Sequence, residues 1–468
     1  MGKNDIESIE GVVARHIVET RFSDLPAEAV IATKEHVLHT LGTVLAGSGA
    51  PGCDALIALL QELGGKQEAT VLGWDMRVPA HYAAMANSTM GHAQEFDNND
   101  DRIAYKSSVC AVPGGLAIAE RVGKTSGRDM LTAVCVGIDL GIRMGLSIQP
   151  QPAHPTAANL GPFASAASAA KLLGLDELQT WDALALALCG VATVGSSTTA
   201  LSFTKRYHAG AASRNGVFAA LLASKGFSAR QEIFESPRGY FHGIHGREGD
   251  LSILTEELGK RFEVVNVGPK GYPSCRYTHG PVDGALAIVR AHDLQPDDVA
   301  EVRVTVGPRD NDCVFGGVEG LVVKQLPKSV VDGQFSIPFT VATAIVRRRL
   351  SLDDMTEAAL KDADVLAVSQ RVFPVVDRSY DDWPSDVKPC RVEIRTRNGQ
   401  VHSERIEYPK GNPRNPVSHD EMRGNFLDFA GRAVRPLPKG NAERALDLIE
   451  RLETVPDVRE IAALLSGK

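Results

Sequence analysis

GPFASAASAAKLLGL, residues 161–175, carries small residues on most faces of the helix it would form. Small residues let helix axes approach closely, so this run reads as a helix packed tightly among others around a common centre. Helical spacing recurs on both sides of it. Pro26–Leu45 has apolar residues at that spacing and meets stop signals at Gly47 and Gly49. Ala80–Thr89, Gly115–Val122, Met130–Leu146, Ala157–Leu173, Leu178–Leu188 and Ala209–Lys225 read the same way, and many are rich in Ala and Gly. No heptad seam and no fixed-period repeat runs through them.

The pattern changes after about Gly268. VAEVRVTV (299–306) alternates and is β-branched, which predicts a strand. CRVEIRTRNGQVHSERIEY (390–408) is two alternating runs around Asn398-Gly399, and that pair predicts a tight hairpin because a type I′ turn needs positive φ at both centres. Helical stretches are expected near Phe339–Arg348 and Asp354–Ala363, and again at His419–Ala430 and Asn441–Leu465, with PKGNPRNP (409–416) as the linker back. The fold class expected is mostly α with an α+β part. Residues 1–267 form the first part of a large helical domain, 268–409 a smaller α+β domain, and 410–468 return to the helical one.

Bulk numbers narrow the function. A chain of 468 residues is long for one core, which agrees with two domains. The net charge of -8 argues against general nucleic-acid binding, which needs a positive surface to displace counterions, but it does not forbid a local basic pocket. Seven scattered cysteines without a CxxC pair read as reduced thiols. The opening residues MGKNDIESIE lack an apolar signal core, and no uncharged apolar run reaches the ~20 residues that span a bilayer. A cytoplasmic protein without membrane partners is expected.

Several cofactor motifs fail on inspection. Gly123-Lys124-Thr125 looks like the end of a phosphate loop, but Ile118 stands where that loop needs glycine. No GxGxxG follows a strand, and no GxSxG elbow occurs. His36/His39 and His242/His245 have metal-compatible spacing without a carboxylate in a familiar pattern, so no metal is expected.

Four segments concentrate titratable residues beside helix-like runs: GHAQEFDNND (91–100) with AYKSSVCAVPGG (104–115), QPAHPTAANLGPF (151–163), SFTKRYHAGAASRNG (202–216) and GPKGYPSCRYTHGPVDGAL (268–286). Lys205, Arg206 and His208 are expected just before one helix, His154 before another, and Lys270, Arg276 and His279 around the start of a third. A helix N-terminus presents free N–H groups and partial positive charge, so converging ends of this kind would form a cationic cup. A small polycarboxylate is the natural guest. Singly, such a lysine is ordinarily a solvated surface residue and Asp97 an ordinary cap; the argument rests on convergence.

At these same segments the chain resembles the MmgE/PrpD family, nearly end to end. The family pattern GHALDFDDT leading to HPG corresponds to GHAQEFDNND leading to KSS. The HPT…GPFGAAAAAAKLLGL, KRLHPGRAAQSGLLAALLA and KPYPSCRHTH patterns correspond to AHPTAANLGPFASAASAAKLLGL, KRYHAGAASRNGVFAALLA and KGYPSCRYTH. DGQFSIPFTVA (332–342) and PKGNPRNPVS (409–418) are also similar to family signatures.

The resemblance implies a large helical domain with a smaller α+β lid, a homodimer, and a site between the domains that uses no cofactor. It carries Asp97, Lys106, His154, Lys205 and Lys270 over as site residues. Asp97 and His154 are the acid/base candidates, since imidazole titrates near neutrality and burial tunes a carboxylate. Lys205 and Lys270 would bind carboxylate and stabilise charge. Arg276, His279, His208 and Lys106 are substrate-binding candidates. Two departures stand out: Lys106 replaces a family histidine, and Asn98 replaces the second acid of the FDDT stretch. The implied activity is a lyase of the 2-methylcitrate dehydratase type. Cis-aconitate decarboxylation and iminodisuccinate epimerisation are the alternatives within the family, and a non-catalytic polycarboxylate-binding protein is the alternative outside it.

Overall fold

The computed structural model describes residues 8–148, 156–192 and 203–467. Its first half is a succession of helices: α1 (Ile9–Glu19), α2 (Ala27–Gly47), α3 (Cys53–Leu63), α4 (Ala80–Ala93), α5 (Ser108–Val122), α6 (Gly127–Leu146), α7 (Thr156–Leu173), α8 (Glu177–Leu188) and α9 (Thr204–Ala223). Their starts are written locally. Ser126 accepts from the Asp129 amide and receives that carboxylate in return, and Asp176 and Gln179 do the same for α8.

The small residues do what the sequence predicts. A Cβ on Gly216 of α9 would lie 2.4 Å from the Pro162 carbonyl of α7. A Cβ on Gly210 would lie 2.0 Å from Thr89 Oγ1 and 2.6 Å from the Met85 carbonyl of α4. Contacts that short exclude any side chain, so α9 is wedged against both neighbours.

One apolar core runs from Val13 to Val267 and resumes from Val417 to Leu465. The returning helix His419–Gly431 packs on α2, where Phe426 and Phe429 crowd Gly42. No helix among the described residues is long and apolar enough to cross a membrane.

A second core, from Val282 to Ile394, belongs to the smaller domain. Two short pairings come first along the chain: β1 (Ala69–Val71) with β2 (Met76–Val78), and β3 (Asn99–Asp100) with β4 (Val267–Gly268). The main sheet contains β5 (Val299–Val306), β6 (Val372–Val376), β7 (Cys390–Thr396) and β8 (Val401–Ile406) in the order β6-β5-β7-β8. Along β7, Cys390, Val392, Ile394 and Thr396 turn inward and the residues between them outward, the alternation of a half-buried strand. Asn398-Gly399 turns the β7–β8 hairpin, but only Gly399, at φ 89°, is left-handed, so the turn is not the expected type I′ form, which needs positive φ at both centres. Helices His279–Ala291 and Ile337–Arg347 complete this core.

The chain departs from expectation at several places. α9 begins at Thr204, not Ala209, so Lys205, Arg206 and His208 stand inside its first turns. Lys and Arg are good helix formers, but polar residues give no apolar stripe to reveal the turn. α5 begins at Ser108 and carries Pro113 inside it. The helix expected over 354–363 is a pair of 3₁₀ turns, and the helix that follows, Ala363–Ser369, is capped by Asp362. Pro456 divides the expected Asn441–Leu465 helix into Asn441–Glu450 and Arg459–Leu464. The strand β6, parallel to β5, was not anticipated.

Three segments meet where β3 pairs with β4. A Cβ on Gly268 would sit 1.7 Å from the Gly411 carbonyl, and Gly411 itself has φ 89°. The loop after α4, the segment leading to Lys270 and the return linker are therefore stacked backbone on backbone.

Candidate active site

The site is built around the end of α4. His92 lies in its last turn, and the chain then reverses at Glu95, which has φ 53°. A left-handed non-glycine residue in a buried turn is strained, and such strain clusters at functional sites. The reversal folds Glu95 and Asp97 back beside His92, all three buried.

His92 Nδ1 lies 2.8 Å from Asp97 Oδ2, and its Nε2 lies 2.8 Å from Lys205 Nζ. A carboxylate only accepts and an ammonium only donates, so the proton must sit on Nδ1 and the lone pair on Nε2. Burial lowers the His92 pKa against the pull of Asp97, which keeps the ring neutral. Asp97 stays ionised: burial pushes its pKa up, but His92 and then Lys270 bring it below the ordinary value.

Glu95 is the hub of the cations. One oxygen pairs with Lys205, and the other lies 3.2 Å from Lys270 Nζ, which also donates to the Glu95 carbonyl at 2.8 Å. Burial raises the Glu95 pKa, but Lys205 and Lys270 outweigh it and hold the carboxyl well below its usual range. Lys270 is fully buried and stands 3.8 Å from Asp97 Oδ1. Lys205 reaches in from α9, with the Phe335 ring of the smaller domain 5.3 Å from its Nζ, within cation–π range.

Lys106 adds a third ammonium. Its Nζ donates to the Ala104 carbonyl at 2.9 Å and has no carboxylate within ion-pair distance among the described residues. Burial, then Lys270 and Lys205, lower its pKa to about 8. Asn98 holds Ser108 Oγ at 2.9 Å and His36 Nδ1 at 3.2 Å, a structural bridge where a second acid was absent from the sequence.

Arg276 and His279 stand behind this cluster and are fully engaged. Arg276 Nε and Nη2 grip Asp101 at 2.7 Å each, while Nη1 donates to the Lys410 carbonyl at 2.7 Å and meets His279 Nδ1 at 3.0 Å. His279 Nε2 faces the Ser274 carbonyl at 3.3 Å. Arg276 ties the smaller domain to Asp101 of the helical one, His279 braces Arg276 from behind, and neither leaves a donor turned toward a ligand.

Of the residues singled out in the sequence, Asp97, Lys205 and Lys270 therefore converge, with Lys106 acting on them electrostatically. His208 stands one turn beyond Lys205 on α9. His154 lies outside the described residues. His92 and Glu95 were missed, although both stand in GHAQEFDNND; the only cue was a histidine three residues before an acid at a helix end. His36 and His39 bond to the carbonyls of Val264 and Phe96, and no group of three metal-ligating side chains forms among the described residues.

A neutral histidine fixed by an aspartate, beside lysines that already gather one carboxylate, can hold an acid substrate and move a proton next to it.

Comparison with known proteins bears on this geometry. The family model of the MmgE/PrpD N-terminal domain matches residues 12–250, and that of the MmgE/PrpD C-terminal domain matches residues 272–454. A cis-aconitate decarboxylase-like protein of Aspergillus oryzae, oryM, is 25% identical across 97% of this chain and 96% of its own length. The cis-aconitate decarboxylase of Mus musculus is 26% identical across 93% of this chain and 88% of its own. That of Homo sapiens is 24% identical across 99% and 95%.

Proposed function

Because the chain belongs to the MmgE/PrpD family, we propose that it is a lyase that breaks a bond beside a carboxylate of a small polycarboxylate, with decarboxylation of a cis-aconitate-like tricarboxylate as its reaction. A lyase activity fits the family and its decarboxylase relatives. One observation carries the reading to this site: Lys205 and Lys270, far apart in sequence, close on the carboxylate of Glu95 beside the His92–Asp97 pair.

In such a reaction the carbon–carbon bond to one carboxylate breaks and carbon dioxide leaves. The electron pair spreads into the remaining unsaturated acid, and a proton then adds to carbon. Ammonium groups aimed at the spreading charge stabilise it more in the transition state than in the ground state. Lys205 and Lys270 take that role. Lys106 binds a further carboxylate, Asp97 orients His92, and His92 with Lys205 relays the proton. His154 keeps the acid/base role that the resemblance gives it. A homodimer and a cytoplasmic location belong to this reading as well.

Dehydration of a hydroxytricarboxylate of the 2-methylcitrate type is the second reading. It is favoured by the His92–Asp97 pair, because a neutral imidazole held by a carboxylate is a base suited to a C–H beside an acid group. Proton NMR of the purified protein with cis-aconitate and, separately, with 2-methylcitrate decides between the two. The first reading predicts a decarboxylated product from cis-aconitate and the second a new alkene from 2-methylcitrate. Neither product at high protein concentration overturns the lyase reading.

A further inference from the structure

His208 is 6% exposed, and neither of its ring nitrogens has a hydrogen-bond partner. It projects from α9 three residues after Lys205, a spacing that places the two side chains on one helix face. α9 packs along α4, whose last turn carries His92. Burial lowers the His208 pKa, and the nearby His92 and Lys205 push the same way.

A buried polar atom without a partner costs about 1–3 kcal/mol, and native proteins satisfy most such atoms. Here one ring carries two, a donor and an acceptor, in a site otherwise supplied with charge. Lys205 and Lys270 spend their hydrogen bonds on carboxylate and imidazole, and Lys106 offers a further cation. In the proposed function these cations are the groups that meet the ligand's carboxylates. What the lysines cannot read is a group that both donates and accepts.

We propose that His208 is a specificity-determining residue that hydrogen-bonds an uncharged hydroxyl-type group of the ligand, the feature that separates one small polycarboxylate from another of equal charge. The proposal rests on the second reading above, a hydroxytricarboxylate as ligand, since cis-aconitate carries no hydroxyl, and it adds to that reading the group that is read without charge. A neutral imidazole suits this role better than another lysine, since it meets a hydroxyl as donor at one nitrogen and acceptor at the other. A site built to bond a hydroxyl also rejects an analogue lacking it, because its own polar atoms are then left unpaired.

The test compares citrate with propane-1,2,3-tricarboxylate, which has the same three carboxylates and no hydroxyl. Calorimetric titration gives the affinity ratio for the full-length protein and for His208→Phe, with thermal melting of both in the absence of ligand. The expected ratio favours citrate at least tenfold in the wild type and collapses toward one in His208→Phe. His208→Asn or His208→Gln, which restore an amide donor and acceptor, recover part of it. His208→Phe should melt no lower than wild type without ligand, because it removes two unpaired atoms. An unchanged ratio, or a His208→Phe protein that melts well below wild type, overturns the proposal. If wild type binds neither acid, the polycarboxylate reading falls, and the melting arm alone still decides whether the nitrogens are held in reserve.

Discussion

Asp101 meets Arg276 along the whole guanidinium edge, with Nε on Oδ1 and Nη2 on Oδ2, each at 2.7 Å. Asp101 follows β3 in the helical part of the molecule, and Arg276 opens the helical segment before His279 in the smaller domain. Asn412 Nδ2 adds a third bond to Asp101 at 2.7 Å from the return linker. The pair is buried and bidentate, so it fixes orientation as well as charge. Removing one partner strands the other charge. Asp101→Ala should destabilise the protein by about 3–5 kcal/mol in urea denaturation. A loss under about 1 kcal/mol would show that the clamp is not what joins the domains.

Asp97 fixes which nitrogen of His92 carries the proton. Asp97→Asn keeps the size and loses the charge that holds Nδ1–H in place. Turnover should fall by about 100-fold or more, the scale of an acid/base contribution, with a smaller change in KM. A mutant that raises KM and leaves kcat intact would make Asp97 a binding residue.

Lys106 gives the site a pH dependence with a definite sign. Its pKa in the free protein is lowered to about 8 by burial and by Lys270 and Lys205. A carboxylate ligand prefers the ammonium, so affinity for propane-1,2,3-tricarboxylate should be level below pH 8 and fall above it. The linked loss of one proton limits the fall to about tenfold per pH unit. Lys106→Met should bind more weakly at neutral pH and show no such limb. A limb that survives in Lys106→Met belongs to another group.

The helical character and the two-part chain order were legible because Ala- and Gly-rich runs and alternating strands carry periodic signals. The hairpin at Asn398-Gly399 was legible because its turn chemistry is local. β6 was not: Pro374 interrupts it and it sits at the sheet edge, where a proline is tolerated. In the site, Lys205 and Lys270 stood out by residue type and segment. Glu95 did not, because its importance comes from a left-handed turn that no periodicity announces and from two lysines more than a hundred residues away. Arg276 shows the complementary case. Its side chain looks like a ligand-binding cation in sequence, and only the fold reveals that Asp101 has claimed it.

Carbon dioxide released from cis-aconitate, measured for wild type and for Lys270→Met side by side, tests the central claim most directly. The wild type should release one molecule for each substrate consumed, and Lys270→Met should be slower by about 100-fold or more, since it removes a buried cation from the developing charge. No gas from the wild type at high concentration, or a Lys270→Met protein as fast as the wild type, would contradict the account.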